Sequence, residues 1–247
     1  MDSIHGLATP PPLELLLQGG PVSLFLDFDG TLVELAPTPD SIEPVEGLAA
    51  KLARLSERIE GRCALVSGRA VSDIESHIGK VAIAAAGSHG ADIRTASGVM
   101  LGDAPTGLPF AIERDLRAFA DEHSLDYEAK PHGGALHYRS NPEREEAALA
   151  FADALAAENG WAAQSGKCVV ELVAGTADKG SAVFAFMREK PFSGSRPIFI
   201  GDDLTDEKGF AACRDLGGYG FLVGERGETC AQCQLPDVAS VHHWLGL

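Results

Sequence analysis

The run Val-Ser-Leu-Phe-Leu at positions 22–26 ends in two aspartates, Asp27 and Asp29, followed by Gly30-Thr31. A segment of this kind predicts a fully buried strand. Alternate residues of a strand point the same way, so Asp27 and Asp29 start on a common side. They stand where that strand emerges at its carboxyl end, the edge at which open α/β sheets bind ligands. Two carboxylates so close repel and need a cation or a shared proton. Gly30 permits a sharp turn and close backbone approach, and Thr31 adds a hydroxyl and an N–H. A nucleophilic carboxylate, a second carboxylate to move protons and a place for Mg2+ suggest phosphoryl transfer. Asp-Gly is also a common turn pair, so three later segments decide between turn and site.

Those segments sit in a chain whose composition is globular: 247 residues, 45% hydrophobic and 23% charged. The formal net charge is −16 and no basic run is present, which argues against a nucleic-acid partner. An anionic substrate would be repelled at long range, so local Lys, Arg and metal must create a positive site within an acidic surface. The five cysteines are odd in number and scattered, unlike a secreted disulfide framework. Cys230 and Cys233 form one CxxC without the second pair or His cluster that a zinc site needs. The first twenty residues lack the charged start of a signal peptide. No apolar run reaches the ~18 residues of a membrane span. The expectation is a soluble cytoplasmic protein without a membrane partner, and the sequence assigns no oligomeric state.

Strand and helix signals alternate at first. A helical stripe covers 45–59, a short strand covers 64–66, a helix covers 71–78 and a third strand covers 81–86. That alternation predicts a parallel sheet covered on both faces. Pro105, Gly107 and Pro109 mark a linker. Beyond it the spacing predicts a helix over 110–122, strands over 126–130 and 135–139, a helix over 142–158 and a strand pair over 161–165 and 168–173. The α/β pattern then resumes, with a helix from Lys179, a strand at 197–200, a helix at 205–213, a strand at 221–223 and a closing helix at 237–245. The expected organisation is a Rossmann-like α/β core from 1–105 and 174–247, with an inserted α+β cap domain at 106–173.

Four segments place polar groups where a strand ends or a helix begins: Asp27/Asp29/Thr31, Ser67-Gly68-Arg69, Lys179, and Gly201-Asp202-Asp203 with Asp206. Taken singly, Ser67 is an ordinary N-cap, Lys179 a solvated charge, and Gly201-Asp202-Asp203 a turn with an acidic first turn after it. Jointly they supply what phosphoryl transfer needs. Asp27 would attack phosphorus, and Asp29 would protonate the leaving alcohol and then deprotonate water. Asp27, the Asp29 backbone carbonyl and Asp202 could hold Mg2+. Ser67 could donate to a phosphoryl oxygen, and Lys179 could hold the same phosphate and restrain Asp27.

These segments resemble the four motifs of the haloacid-dehalogenase-type phosphatases, and the insertion resembles their larger cap. LFLDFDGTLVEL, LVSGR, AGSHGADIR, ALHYR, GKCVVEL, ADKGSAV and IGDDLTDE resemble more narrowly the trehalose-6-phosphate phosphatase family. That resemblance implies Mg2+-dependent hydrolysis of a small sugar phosphate, trehalose 6-phosphate. It implies Asp27, Asp29 and Asp202 as metal ligands, with Asp203 and Asp206 supporting them. It also implies Thr31, Ser67 and Lys179 as phosphoryl holders. Glu128, Lys130, Arg139, Lys167 and Glu171 correspond to cap positions that grip the sugar, and Arg69 and His89 join the substrate-binding set at the interface. Glu accepts hydroxyl protons while Lys and Arg donate, which suits a disaccharide. Val169 departs from the pattern, since some relatives carry a polar residue there. A close enzymatic alternative is a phosphatase for sucrose 6-phosphate or a hexose phosphate; alternatives from other classes are a phosphomutase and a non-catalytic sugar-phosphate sensor. The mechanism also implies cap motion about hinges near 105–109 and Gly175.

Overall fold

The computed structural model describes residues 7–36, 41–101, 107–130, 132–166, 168–174 and 177–247. Pro105, Lys167 and Gly175 lie outside the described residues. After a short helix α1 (Leu13–Gln18), the first lobe runs β1 (Val22–Leu26), α2 (Leu48–Arg58), β2 (Cys63–Val66), α3 (Val71–Ile78), β3 (Ala84–Gly87) and β4 (Asp92–Arg94). The inserted segment holds α4 (Phe110–His123), β5 (Asp126–Lys130), β6 (Gly133–His137), α5 (Glu145–Asn159), β7 (Trp161–Gly166) and β8 (Val169–Ala174). The chain then returns through α6 (Lys179–Arg188), β9 (Arg196–Gly201), α7 (Asp206–Asp215), β10 (Tyr219–Val223), β11 (Cys233–Leu235) and α8 (Val238–Leu245).

One sheet has the order β11-β10-β9-β1-β2-β3-β4 and is parallel except for its last pair. Every residue of β1 is buried, and alternation splits it between two cores. Val22, Leu24 and Leu26 join Leu48, Leu52 and Ile74 on one face. Phe25 joins Phe186, Phe199 and Phe210 on the other. Burial on both faces is what a parallel sheet under helices requires. Strand order reverses at β1, whose neighbours are β2 on one side and β9 on the other. Such a reversal opens a crevice at the carboxyl ends of the strands.

The inserted segment builds an antiparallel sheet in the order β5-β6-β8-β7. Leu136, Val170 and Leu172 bury one face against Ile112 and Leu116 of α4 and Ala148, Ala152 and Leu155 of α5. Strand alternation therefore turns Glu128, Lys130, His137 and Glu171 to the opposite face, where they line a cleft shared with the first sheet. The α/β core with a capping α+β unit is the expected architecture.

Some elements differ from expectation. β3 starts at Ala84 rather than residue 81, because the Val81 N–H is donated to the Glu75 carboxylate (3.1 Å) instead of the ladder. The helices at 45–59 and 142–158 are shorter at their starts, the latter preceded by a 3-10 turn at Pro142–Arg144. Helix α1 and the three-residue strands β4 and β11 are too short to show a period. Cys233 of the CxxC lies buried in β11. Among the described residues, no helix is long and apolar enough to cross a membrane.

Phe186 packs in a cluster with Phe25 (5.9 Å between centroids) and Phe192 (5.1 Å), which also stack on each other (5.6 Å), and it is fully buried. Phe186→Ala is expected to cost about 3–5 kcal/mol of stability, read as a lowered midpoint in chemical denaturation.

Candidate active site

The end of β1 is tied to the end of β9 by the Asp27 N–H, which donates to the Ile200 carbonyl (3.0 Å). The two strands thus deliver Asp27 and Asp202 side by side at the reversal point. Gly30 has φ +72° and faces the Asp202 carboxylate so closely that a Cβ there would overlap it. This is the physical reason for glycine after the second aspartate. Carboxylate oxygens of Asp27, Asp202 and Asp206 lie within 4.8 Å of one another. Lys179, at the first turn of α6, donates from Nζ to Asp27 Oδ1 (2.8 Å) and Asp206 Oδ1 (2.6 Å). It is buried, not a solvated surface charge.

Electrostatics follow from that enclosure. Burial and then the Asp206 carboxylate raise the Asp27 pKa well above its ordinary value; Asp202 adds to this and Lys179 opposes it. Burial works against the charged form of Lys179, but Asp206 and Asp27 outweigh it and hold the ammonium charged. An all-oxygen donor set of this kind fits a hard divalent cation such as Mg2+. Asp206 is already engaged through both oxygens, Oδ1 by Lys179 and Oδ2 by the Asp203 N–H (2.8 Å). Direct ligation therefore fits Asp27 and Asp202 better, with Asp206 bracing the loop beneath them.

Asp29 lies apart from the three. Arg69 grips its carboxylate through Nε (2.6 Å) and Nη2 (2.9 Å), and donates from Nη1 to Asp73 Oδ2 (2.7 Å). With both carboxylate oxygens engaged by Arg69, a metal fits the Asp29 backbone carbonyl better. Arg69, expected to bind substrate, lines the cleft and also orients Asp29. Ser67 lines the cleft and is not an N-cap: its hydroxyl accepts the Arg69 N–H (3.2 Å), and helix α3 starts after Ala70. Thr31, expected to hold the phosphoryl group, is fully buried. Its hydroxyl has no hydrogen-bond partner among the described residues, and it does not line the cleft.

The cleft occupies about 1010 Å³ between the two sheets. Asp27, Asp29, Ser67, Lys179, Asp202 and Asp203 form its floor, and Glu128, Lys130, Arg139 and Glu171 face them from the cap. Glu171 is buried, and Lys130 Nζ meets its Oε1 at 2.5 Å while His89 Nε2 meets Oε2 at 3.0 Å. Burial raises the Glu171 pKa, but Lys130 and His89 outweigh it and hold the carboxyl well below its ordinary range. Arg139 is exposed and reaches from the cap to the Ala36 carbonyl (3.4 Å). Val169 also lines the cleft.

Sequence reasoning missed three participants. His137 Nε2 pairs with Glu128 Oε2 (2.8 Å); it shares a strand face with Arg139, two positions on. Asp73 stands one helical turn from Arg69, an i,i+4 signal in plain view. Arg226 donates from Nη2 to the Asp202 carbonyl and from Nη1 to Glu207 (3.0 Å), bracing the acidic loop from behind. Nothing local in the sequence announces that contact.

An α/β sheet with paired carboxylates at its reversal point, a buried lysine and a cap over the site is an arrangement suited to phosphoryl transfer. Solved structures agree on the fold: the chain superposes on the C-terminal domain of trehalose-6-phosphate phosphatase from Candida albicans with a TM-score of 0.83, covering 97% of each chain at 21% identity. The trehalose-phosphatase family model matches residues 25–230. The trehalose-6-phosphate phosphatase of Escherichia coli K12 is 38% identical over 229 residues, 90% of this chain and 84% of its relative. A probable trehalose-phosphate phosphatase of Sinorhizobium fredii is also 38% identical, over 82% of this chain and 77% of its own. The chain belongs to the trehalose-phosphatase family, and so to the phosphoric monoester hydrolases.

Because the folded Glu171 pKa lies below its ordinary value of 4.5, the stability from its ionised form is present above that pH and lost as pH falls through the folded pKa. The neutral mimic Glu171→Gln lacks this contribution throughout. The difference in melting temperature between the wild type and E171Q is therefore expected to be largest near neutrality and to shrink below about pH 4.5, measured by thermal melts from pH 3 to 7.

Proposed function

We propose that this enzyme hydrolyses trehalose 6-phosphate to trehalose and phosphate through an aspartyl phosphate, with Mg2+ as its cofactor. The observation that carries the reading is one cleft with two complementary sides. A buried Asp27–Lys179–Asp206 cluster beside Asp202 lies on one, and alternating acids and bases of the cap sheet lie on the other.

Asp27 is the nucleophile. Its carboxylate oxygen forms a bond to phosphorus as the bond from phosphorus to the sugar oxygen breaks. Asp29, oriented by Arg69, gives a proton to the leaving alkoxide and later takes one from the water that hydrolyses the intermediate. Phosphate then leaves and the Asp27 carboxylate is restored. Ser67 donates to a nonbridging phosphoryl oxygen, and Lys179 places positive charge beside the attacking carboxylate. Asp27, Asp202 and the Asp29 carbonyl would hold Mg2+, with Asp203 and Asp206 fixing the loop. Bound there, the ion supplies charge neutralisation at the phosphoryl oxygens. On the cap, Glu128, Lys130, Arg139, Lys167 and Glu171 grip the disaccharide hydroxyls. A site built to hydrogen-bond those groups discriminates against sugars that lack them.

Two experiments bear on this reading. Asp27→Asn is expected to abolish phosphate release while the protein remains folded by circular dichroism, and Asp29→Asn to lower kcat by about 10²–10⁴-fold. In a phosphate-release panel, trehalose 6-phosphate is expected to show a higher kcat/KM than sucrose 6-phosphate or glucose 6-phosphate. The signal should vanish with EDTA and return with excess MgCl2. A better substrate elsewhere in the panel would move the specificity to that sugar.

A further inference from the structure

The turn after β3 has an unusual backbone. Ser88 and His89 are consecutive non-glycine residues at positive φ, 49° and 55°, and both are buried. Conformations of this kind persist where surrounding contacts enforce them, and they gather at functional sites. Here the Ser88 N–H donates to the Arg69 carbonyl (2.9 Å) and the His89 N–H to the Ser67 carbonyl (3.0 Å). The turn is stitched by its backbone to the Ser67-Gly68-Arg69 loop.

The His89 ring lies against Gly68. A Cβ at Gly68 would stand 2.6 Å from both Cε1 and Nε2 of the imidazole, so only glycine leaves space for the ring. That placement carries Nε2 across the boundary between core and cap to Glu171 Oε2, 3.0 Å away. A carboxylate only accepts, so Nε2 bears the proton and donates. The other Glu171 oxygen accepts from Lys130, on the cap itself. Glu171 therefore has one donor from its own domain and one from the core.

We propose that His89 is a positioning residue that latches cap to core. It acts through Glu171 and sets the register of the sugar-facing sheet over the phosphate-side loop. The sequence resemblance placed His89 among substrate contacts, but its Nε2 is engaged by Glu171 and its Nδ1 is buried without a partner among the described residues. The inference rests on the phosphatase reading above and adds a part to it.

The test compares trehalose 6-phosphate with p-nitrophenyl phosphate, which offers a phosphoryl group and no sugar. His89→Asn tolerates the left-handed backbone, but its shorter amide stops short of Glu171. His89→Gln puts an amide nitrogen near the position of Nε2. H89N is expected to lower the kcat/KM ratio of the two substrates about ten-fold or more, the size of a hydrogen bond to a charged group, mainly through KM. H89Q should recover most of that loss. The double variant H89N/E171Q should be no worse than E171Q alone, since both act on one contact. Equal losses on both substrates, or additive losses in the double variant, would overturn the latch. Hydrogen exchange gives a reading without altering His89: in E171Q the amides of residues 88–91 should exchange faster than in the wild type, and unchanged protection would also overturn it. A wild-type enzyme that releases phosphate from neither ester would instead strike down the phosphatase reading.

Discussion

The Lys179 ammonium, enclosed between Asp27 and Asp206 at the reversal point of the sheet, is what permits three carboxylates to share so small a volume. Isolated buried charges are costly, and a buried pair is tolerated when its geometry and remaining hydrogen bonds are good. Here Asp206 also accepts the Asp203 N–H, so the ion pair fixes the loop that carries Asp202. The oxygens gathered there are the hard donors that suit a divalent ion.

Around this centre the two sheets divide the chemistry. The parallel sheet is largely apolar on both faces and brings the polar groups of the cleft from its strand ends, so its contribution is compact and fixed. The antiparallel cap sheet has one face buried under α4 and α5, which leaves every second residue free to face the cleft. That arrangement suits an extended ligand with many hydroxyls. Glu128, Lys130 and Glu171 are paired with one another or with His137 and His89, so the cleft-facing side of the cap sheet is held in place by its own contacts. Preorganised groups of this kind do not have to be ordered during the reaction.

The fold was largely legible in the chain. The buried strand 22–26, the alternation after it and the change of texture near residue 105 each reflect local patterning. β4 and β11, three residues each, left no such pattern, since they gain their stability from the neighbouring strand rather than from their own sequence. Lys179 and Asp202 were found because their residue types recur where strands and helices meet. Arg226 was not, because its partner is a backbone carbonyl 24 residues away, and a carbonyl has no sequence signature.

By itself the sequence determined which residues could do the chemistry: Asp27 and Asp29 at the end of a buried strand, and acids and bases alternating on two hairpins. Tertiary structure alone decided how each is used. It drew Asp29 to Arg69, left the Thr31 hydroxyl enclosed, turned Ser67 from a cap into a cleft residue and passed His89 across to Glu171. The physical reason is that a side chain's type and period are written locally, whereas its partner is set by which strand ends and which domains the packing brings within three ångströms.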